Sequence, residues 1–291
     1  MPDDPQARAQ LDAALERVRR AFPGKRGRPD WGDSLPHHPD QRPGMSYEAV
    51  EALHRRPAEL PVSELSWAEV DYFFDNTGYT LKPYETVREA FPYFLPRLAE
   101  LVAFVQPPAG FLLPARVIFE RLDMVHWQRW KPAWRAAVAD WLAGWGAVVL
   151  HWECEHWQQD GCYLGPWDPE HRRVDGCLEA LLLAAGFDLL APSFDRLSPI
   201  GWVRVVRGLI PYGEFSLPNE GALVFDNRTW PTDVPAERQR ALLGRVARAD
   251  VAEAILNAPA PPGVAATDWQ EACIEAASTV ERLRHRMTMP H

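Results

Sequence analysis

Hydrophobic residues recur along this chain at separations of three and four positions, with polar residues between them. The clearest stripe consists of Trp134, Val138, Trp141, Trp145 and Val148. Such spacing places apolar side chains on one face of an α-helix, where they can pack against neighbouring helices. The pattern therefore predicts a helix that begins at Pro132, because proline is favoured in the first helical turn.

The same periodicity predicts further helices on both sides of this one. They lie at about 4–22, 46–54, 66–74, 91–105, 114–125, 174–185, 202–209, 235–246, 250–255 and 267–283. Three of their starts carry a capping pair, namely Ser66 with Glu69, Asp250 with Glu253, and Thr267 with Gln270. The helix at 91–105 should contain Pro92 and Pro96 in its first turn or bend there, because proline cannot donate a helical hydrogen bond.

No segment alternates apolar and polar residues between hairpin turns, so the sequence does not predict a large sheet. The expected fold class is all-α, as an irregular array of helix pairs that is α-solenoid-like or a multi-helix bundle. Residues 213–231, which are rich in Pro, Gly, Asn and Asp, are predicted to form a loop. The expected domains are an N-terminal helix at 1–22, a Pro-rich arm with a short helix at 23–62, and a helical domain with one continuous core at 63–291.

Composition places the chain among folded globular proteins, since 47% of its 291 residues are hydrophobic and 24% are charged. The formal net charge of −9 argues against a nucleic-acid partner, which would require a basic surface. It favours a basic protein as the partner, with self-association as the alternative.

Cysteine content and the N-terminus predict a cytoplasmic location. Cys154, Cys162, Cys177 and Cys273 are too few for a disulfide scaffold in a chain of this length. The first residues carry no cationic segment followed by an apolar one, as a secretory signal would. The most apolar stretch, 178–191, is too short and too charged to cross a bilayer, so no membrane association is expected.

Three segments together resemble a known group of proteins. They are Tyr93-Phe94-Leu95-Pro96-Arg97-Leu98-Ala99-Glu100-Leu101, the Trp-rich stretch from Arg121 to Trp145, and Cys177-Leu178-Glu179-Ala180-Leu181. The combination resembles uncharacterised bacterial hypothetical proteins in which a Phe-Leu-Pro-Arg-x-x-Glu-Leu helix precedes Trp-rich helices. The resemblance implies an all-helical fold and carries no known activity. Arg97 and Glu100 are expected to lie within one helical turn of each other.

The only close gathering of chemically versatile side chains lies between His151 and Cys162. Cys154, His156 and Cys162 are residue types that bind zinc, and zinc is the one cofactor that this pattern suggests. Cys154 and His156, two residues apart, would suit an extended or turning segment. On a continued helix, His151 and His156 are five residues apart and would point in different directions, because ligands on one helix face are three or four residues apart. The interpretation that we favour is a set of free thiols and hydrogen-bonding side chains at a helix end, so no cofactor is expected, with zinc as the alternative.

The chain lacks the common sequence signatures of hydrolases, NTPases, dehydrogenases and zinc proteases. Its thirteen tryptophans favour helix contacts and grooves, because each indole needs a large apolar surface and a partner for its N–H. The tryptophan and arginine positions that we expect at such a surface are Trp152, Trp157, Arg228 and Trp230. The leading hypothesis is a cytoplasmic protein–protein interaction module with an acidic, Trp-containing surface. The alternative is a metal-binding protein or enzyme that uses the cluster at 151–162.

Overall fold

The computed structural model describes residues 5–23, 46, 48–49, 52, 55–56, 59–70, 83–104, 121–159, 187–209, 215–216, 224–225 and 236–288. Its helices are α1 Pro5–Ala21, α2 Pro83–Phe104, α3 Pro132–Gln159, α4 Phe187–Phe194, α5 Pro199–Leu209, α6 Ala236–Val246, α7 Ala249–Leu256 and α8 Ala266–Thr288. Single 3₁₀ turns lie at Val62–Glu64 and Trp127–Arg129. The all-α class is confirmed.

Two short strands lie inside the segment that was predicted to be a loop. Strand β1, Phe215–Ser216, pairs antiparallel with β2, Val224–Phe225. Two residues a side cannot cover a core, so this ladder fastens a connection and does not alter the fold class. The predicted helix at 174–185 and most of the Pro-rich arm lie outside the described residues.

Contacts between backbone positions divide the chain into two compact units. One consists of residues 9–141, and the other consists of residues 1–8 with 142–291. The domain boundaries expected from the sequence, including a single core over 63–291, stay a prediction. Whether the helices form a solenoid or a bundle stays one as well.

In the unit at 9–141, α1 and α2 bury the stripes that the sequence predicts. Leu11, Leu15 and Val18 of α1 are buried. Helix α2 buries Phe91, Phe94, Leu95, Leu98 and Leu101. Burying an apolar side chain of this size contributes about 1.5–3 kcal/mol, so these stripes supply much of the force that folds the unit.

Helix α2 begins at Pro83, which is earlier than the sequence predicts. Pro92 and Pro96 consequently lie inside the helix and not in its first turn. Each proline removes one backbone donor from the helix, so two carbonyl groups lose their usual partner. The buried apolar side chains on either side of the prolines offset that loss.

The predicted capping box at Ser66 is confirmed, and its carboxylate is buried. The Ser66 backbone N–H donates to Glu69 Oε2 at 2.7 Å, and the Ser66 hydroxyl donates to the same oxygen. The Ala68 N–H donates in turn to Ser66 Oγ at 3.2 Å. Glu69 is only 1% exposed, and Arg56 Nε lies 3.1 Å from its other carboxylate oxygen. The buried charge therefore has donors on both oxygens, as burial requires.

Arg97 and Glu100 connect α2 to its neighbours. The expected contact between them is confirmed at 2.9 Å. Arg97 Nε also donates to the carbonyl oxygen of Leu65 at 2.6 Å, and Arg19 Nε of α1 donates to Glu100 Oε1 at 2.8 Å. These bonds join α1, α2 and the chain before the capping box.

In the other unit, α5, α7 and α8 pack against one another. Trp269 of α8 is buried, and its indole Nε1–H donates to the carbonyl oxygen of Ala258 at 2.9 Å. Arg207 of α5 forms an ion pair with Glu275 of α8 at 3.1 Å. The packing therefore combines apolar burial with one satisfied indole and one bridging ion pair.

Two of the three predicted capping pairs are wrong. Helix α7 is preceded by Arg248 as its N-cap residue, and Asp250 lies in the first turn, where it pairs with Arg248. Helix α8 begins at Ala266, so Thr267 is already inside it. An acidic or hydroxyl residue is favoured both at the cap and in the first turn, so sequence spacing alone cannot separate the two positions.

Glu69→Ala should lower the free energy of unfolding by about 1–3 kcal/mol, because it leaves the Ser66 N–H and the Arg56 guanidinium without their acceptor. Chemical denaturation of the full chain measures this loss. The control is Glu64→Ala in the same segment, at an exposed position, which should change stability by less than about 0.5 kcal/mol. Equal losses in the two variants would contradict the role assigned to Glu69.

Candidate aromatic and basic interaction site

A tight turn between Asp123 and Lys131 contains two tryptophans that differ in exposure. His126 adopts a left-handed backbone conformation with φ 50° and ψ 51°, which a non-glycine residue takes at an energetic cost. Its carbonyl oxygen then accepts from the Arg129 N–H at 2.8 Å. The turn buries Trp127 and leaves Trp130 partly exposed.

Trp130 and Trp134 form a three-ring cluster with Phe22, the residue after α1. The ring centroids of Trp130 and Trp134 are 5.7 Å apart with planes at 80°, an edge-to-face arrangement. Phe22 lies 5.7 Å from Trp130 and 4.6 Å from Trp134. Each such pair contributes about 0.5–1.5 kcal/mol beyond its buried area. Phe22 is buried, whereas both indoles are partly exposed. The two tryptophans are therefore packed against a buried ring and still accessible to solvent.

Three exposed cations are next to these tryptophans in the sequence. Arg129, Lys131 and Arg135 are all exposed, and the Lys131 ammonium lies 4.2 Å from the centroid of the Trp134 ring. We call Phe22, Arg129, Trp130, Lys131, Trp134 and Arg135 the aromatic–basic cluster. No acidic residue occurs between Met124 and Ala139.

The cations of this cluster differ from arginines such as Arg17 and Arg19, which pair with carboxylates. Arg17 lies 3.2 Å from Asp140, and Arg19 contacts both Glu16 and Glu100. Within the described ranges, no carboxylate lies in salt-bridge distance of Arg129, Lys131 or Arg135. Three charges are thus available to an external partner.

The start of α3 departs from the usual chemistry of helix ends. The Lys131 carbonyl accepts from the N–H groups of Trp134 and Arg135, both at 3.0 Å, so Lys131 occupies the N-cap position. An N-cap residue ordinarily accepts a bond through its side chain, and a lysine side chain cannot. No acidic residue occupies the first turn, and two cations four residues apart face the positive end of the helix dipole.

The Trp134 indole is a further departure. Its Nε1–H is buried and has no hydrogen-bond acceptor among the described residues. A buried donor without an acceptor costs about 1–3 kcal/mol. Local choices that cost stability without a visible structural gain are concentrated at functional sites, so this cluster is the strongest candidate surface in the described residues.

The site residues predicted from the sequence lie elsewhere. Trp152, Cys154, His156 and Trp157 belong to the helical backbone of α3, and their side chains are outside the described part of the structure. Cys162, Arg228 and Trp230 fall outside the described residues altogether.

The backbone of α3 bears on the geometry of the metal hypothesis. The helix continues through Gln159, and positions 154 and 156 are separated by roughly 200° around a helix axis. The extended or turning segment that suits a Cys-x-His pair is thus not the conformation of these positions. No group of three His, Cys, Asp or Glu residues in the described ranges could hold a metal ion. The zinc site at Cys154, His156 and Cys162 stays a prediction.

Cys273 of α8 is buried, and burial raises the pKa of its thiol, an effect that nearby Arg207 partly opposes. A buried thiol with a raised pKa is a poor nucleophile, because the thiolate is the reactive form. We assign Cys273 to the core.

Sequence reasoning missed the aromatic–basic cluster because it assigned Trp130 and Trp134 to packed helices. The sequence feature that could have identified this cluster is its local charge. In a chain of net charge −9, the stretch from Met124 to Ala139 carries three cations and no acid.

The chain matches no protein-family model, no curated protein and no solved structure. In the part of the chain that the structure describes, no helix has both the length and the apolar character to cross a membrane.

Lys131→Asp should raise the free energy of unfolding by about 0.5–1 kcal/mol, because aspartate caps the helix and complements its dipole while the cation–π contact is lost. Chemical denaturation measures the change. Lys131→Gln is the control, since it removes the cation without providing a strong cap and should not stabilise the protein. A loss of stability in Lys131→Asp would show that Lys131 is retained for folding.

Proposed function

We propose that this protein is a cytoplasmic, helical protein–protein interaction module whose contact surface is the aromatic–basic cluster. The observation that carries the proposal is the pair of partly exposed indoles, Trp130 and Trp134, next in sequence to three exposed cations that have no carboxylate partner among the described residues. Tryptophan and arginine are the residues most enriched among those that dominate binding energy at protein interfaces. The tryptophan surface at 152, 157 and 230 with Arg228 stays a separate prediction from the sequence.

Rigidity of the cluster supports a binding role. The rings of Phe22, Trp130 and Trp134 support one another through three contacts shorter than 6 Å between centroids. Rings held in this way lose little conformational freedom when a partner covers them, so more of the contact energy appears as affinity. The Arg19–Glu100 bond holds the last turn of α1, which leads into Phe22.

The proposed contact surface does not have to be large to bind a partner. An aromatic side chain of this kind buries about 150–250 Å² when covered fully, and two such anchors can dominate the energy of a small contact. The unpaired cations around them would set orientation and the rate of encounter more than affinity.

Photo-crosslinking tests this proposal at a position that takes no part in the cluster's contacts. Ala133 is exposed and lies between Lys131 and Trp134. Ala133→p-benzoylphenylalanine should yield a discrete protein adduct after irradiation in native lysate, resolved by gel electrophoresis and identified by mass spectrometry. The matched control is Ser278→p-benzoylphenylalanine on α8, also exposed.

An adduct at position 133 that is absent at position 278, and that Trp130→Ala abolishes in an otherwise folded chain, supports the module. Adducts of equal yield at both positions, or none at either, would overturn the proposal. An adduct at twice the chain mass of 33.0 kDa would identify self-association, the alternative partner expected from the sequence.

A further inference from the structure

We infer that the aromatic–basic cluster binds an acidic peptide segment of a partner protein, one in which carboxylates flank an apolar side chain. The inference rests on the proposed function and specifies the partner's chemistry. It reverses, for this surface, the basic partner that the net charge of −9 favours.

Local charge decides contact chemistry because salt screens distant charges. The Debye length is about 8 Å at physiological ionic strength, so a segment seated on Trp130 is governed by the charges beside it. Those charges are Arg129, Lys131 and Arg135, all exposed and all cationic. A basic segment would be repelled there, whereas carboxylates would neutralise three cations that have no carboxylate partner in the described part of the chain.

The spacing of the cations suits carboxylates placed on both sides of an apolar residue. Lys131 and Arg135 are one helical turn apart, and Arg129 lies beyond Lys131 in the preceding turn. An arginine guanidinium binds a carboxylate with two parallel hydrogen bonds. Trp130 follows Arg129 and precedes Lys131 in the sequence, is partly exposed, and provides the apolar contact.

The ring geometry disfavours a nucleic acid, the other polyanion that a basic surface could attract. Bases stack on open ring faces. The Trp134 ring has the Lys131 ammonium over it at 4.2 Å and Phe22 at 4.6 Å between centroids, and Trp130 packs edge-to-face against it. A chain of charge −9 would also repel the remainder of a long phosphate backbone.

Fluorescence anisotropy of the full chain with short labelled peptides tests the inference. The probe carries glutamates on both sides of a leucine and a phenylalanine, and its control has every glutamate replaced by glutamine. We expect the glutamate peptide to bind about tenfold or more tightly than the control, with an affinity that falls as salt is added.

Charge-matched variants locate the binding. The triple variant Arg129→Gln, Lys131→Gln, Arg135→Gln should weaken the glutamate peptide about tenfold. Arg55→Gln, Arg196→Gln, Arg284→Gln removes the same charge from exposed positions elsewhere and should change affinity less than about twofold. Equal weakening by both variants would overturn the site, because it would show a response to net charge alone.

Lys131→Asp separates binding from folding. If the inference holds, this variant is as stable as the parent or more so, yet binds the glutamate peptide about tenfold more weakly. Unchanged binding in Lys131→Asp would overturn the inference.

Failure of the inference is distinguishable from failure of the proposed function. If adducts form at position 133 while neither peptide binds, the module stands and its partner is not acidic. A single-stranded oligonucleotide that binds more tightly than the peptide, and that the first triple variant releases, would overturn the inference in favour of nucleic acid. A dimer in sedimentation that the same variant dissociates would overturn it in favour of a second copy.

Discussion

The carboxylate of Glu100 fixes the placement of α1 and α2 relative to each other within the unit at 9–141, because it binds arginines from both helices. Arg97 of α2 binds one oxygen at 2.9 Å and Arg19 of α1 binds the other at 2.8 Å. Arg97 also donates to the Leu65 carbonyl, so three segments meet at neighbouring side chains. These groups are only partly buried, so they define geometry more than they add stability. The last turn of α1 carries Arg19 and leads into Phe22. The rings of Trp130 and Trp134 pack against Phe22.

Stability and function make opposite demands at the start of α3. A helix that only had to fold would carry an aspartate or serine at position 131 and an acid in its first turn. This one carries Lys131 and Arg135, together with an indole N–H that has no acceptor among the described residues. Elsewhere in the described part of the chain, buried Glu69 and Trp269 have their hydrogen bonds, whereas the buried Nε atoms of Arg121 and Arg245 have no acceptor among the described residues. The uncapped start of α3 and its two cations, more than the unsatisfied indole, therefore support the proposed binding surface.

Periodicity in the sequence is sufficient to predict α1, α3, the class and the Ser66–Glu69 capping box, because each depends on neighbours within one or two turns. It does not identify the start of α2 at Pro83 or the β1–β2 ladder, which depend on tertiary contacts. It could not separate Trp127, which is buried, from Trp130, which is partly exposed, because both have helical spacing and the left-handed turn at His126 decides between them. The sequence shows that cations occur beside Trp130. Only the structure shows that no carboxylate among the described residues pairs with them.

The proposal that the aromatic–basic cluster recognises an acidic peptide is tested most directly by ¹⁹F NMR of the full chain with its thirteen tryptophans replaced by 5-fluorotryptophan. Single Trp→Phe variants assign the signals of Trp130, Trp134 and the buried Trp269. We predict that the glutamate peptide shifts the ¹⁹F signals of Trp130 and Trp134 in a saturable way and leaves the signal of Trp269 unchanged. Peptide binding that moves neither Trp130 nor Trp134, or that moves Trp269 equally, would contradict the claim that this cluster is the recognition surface.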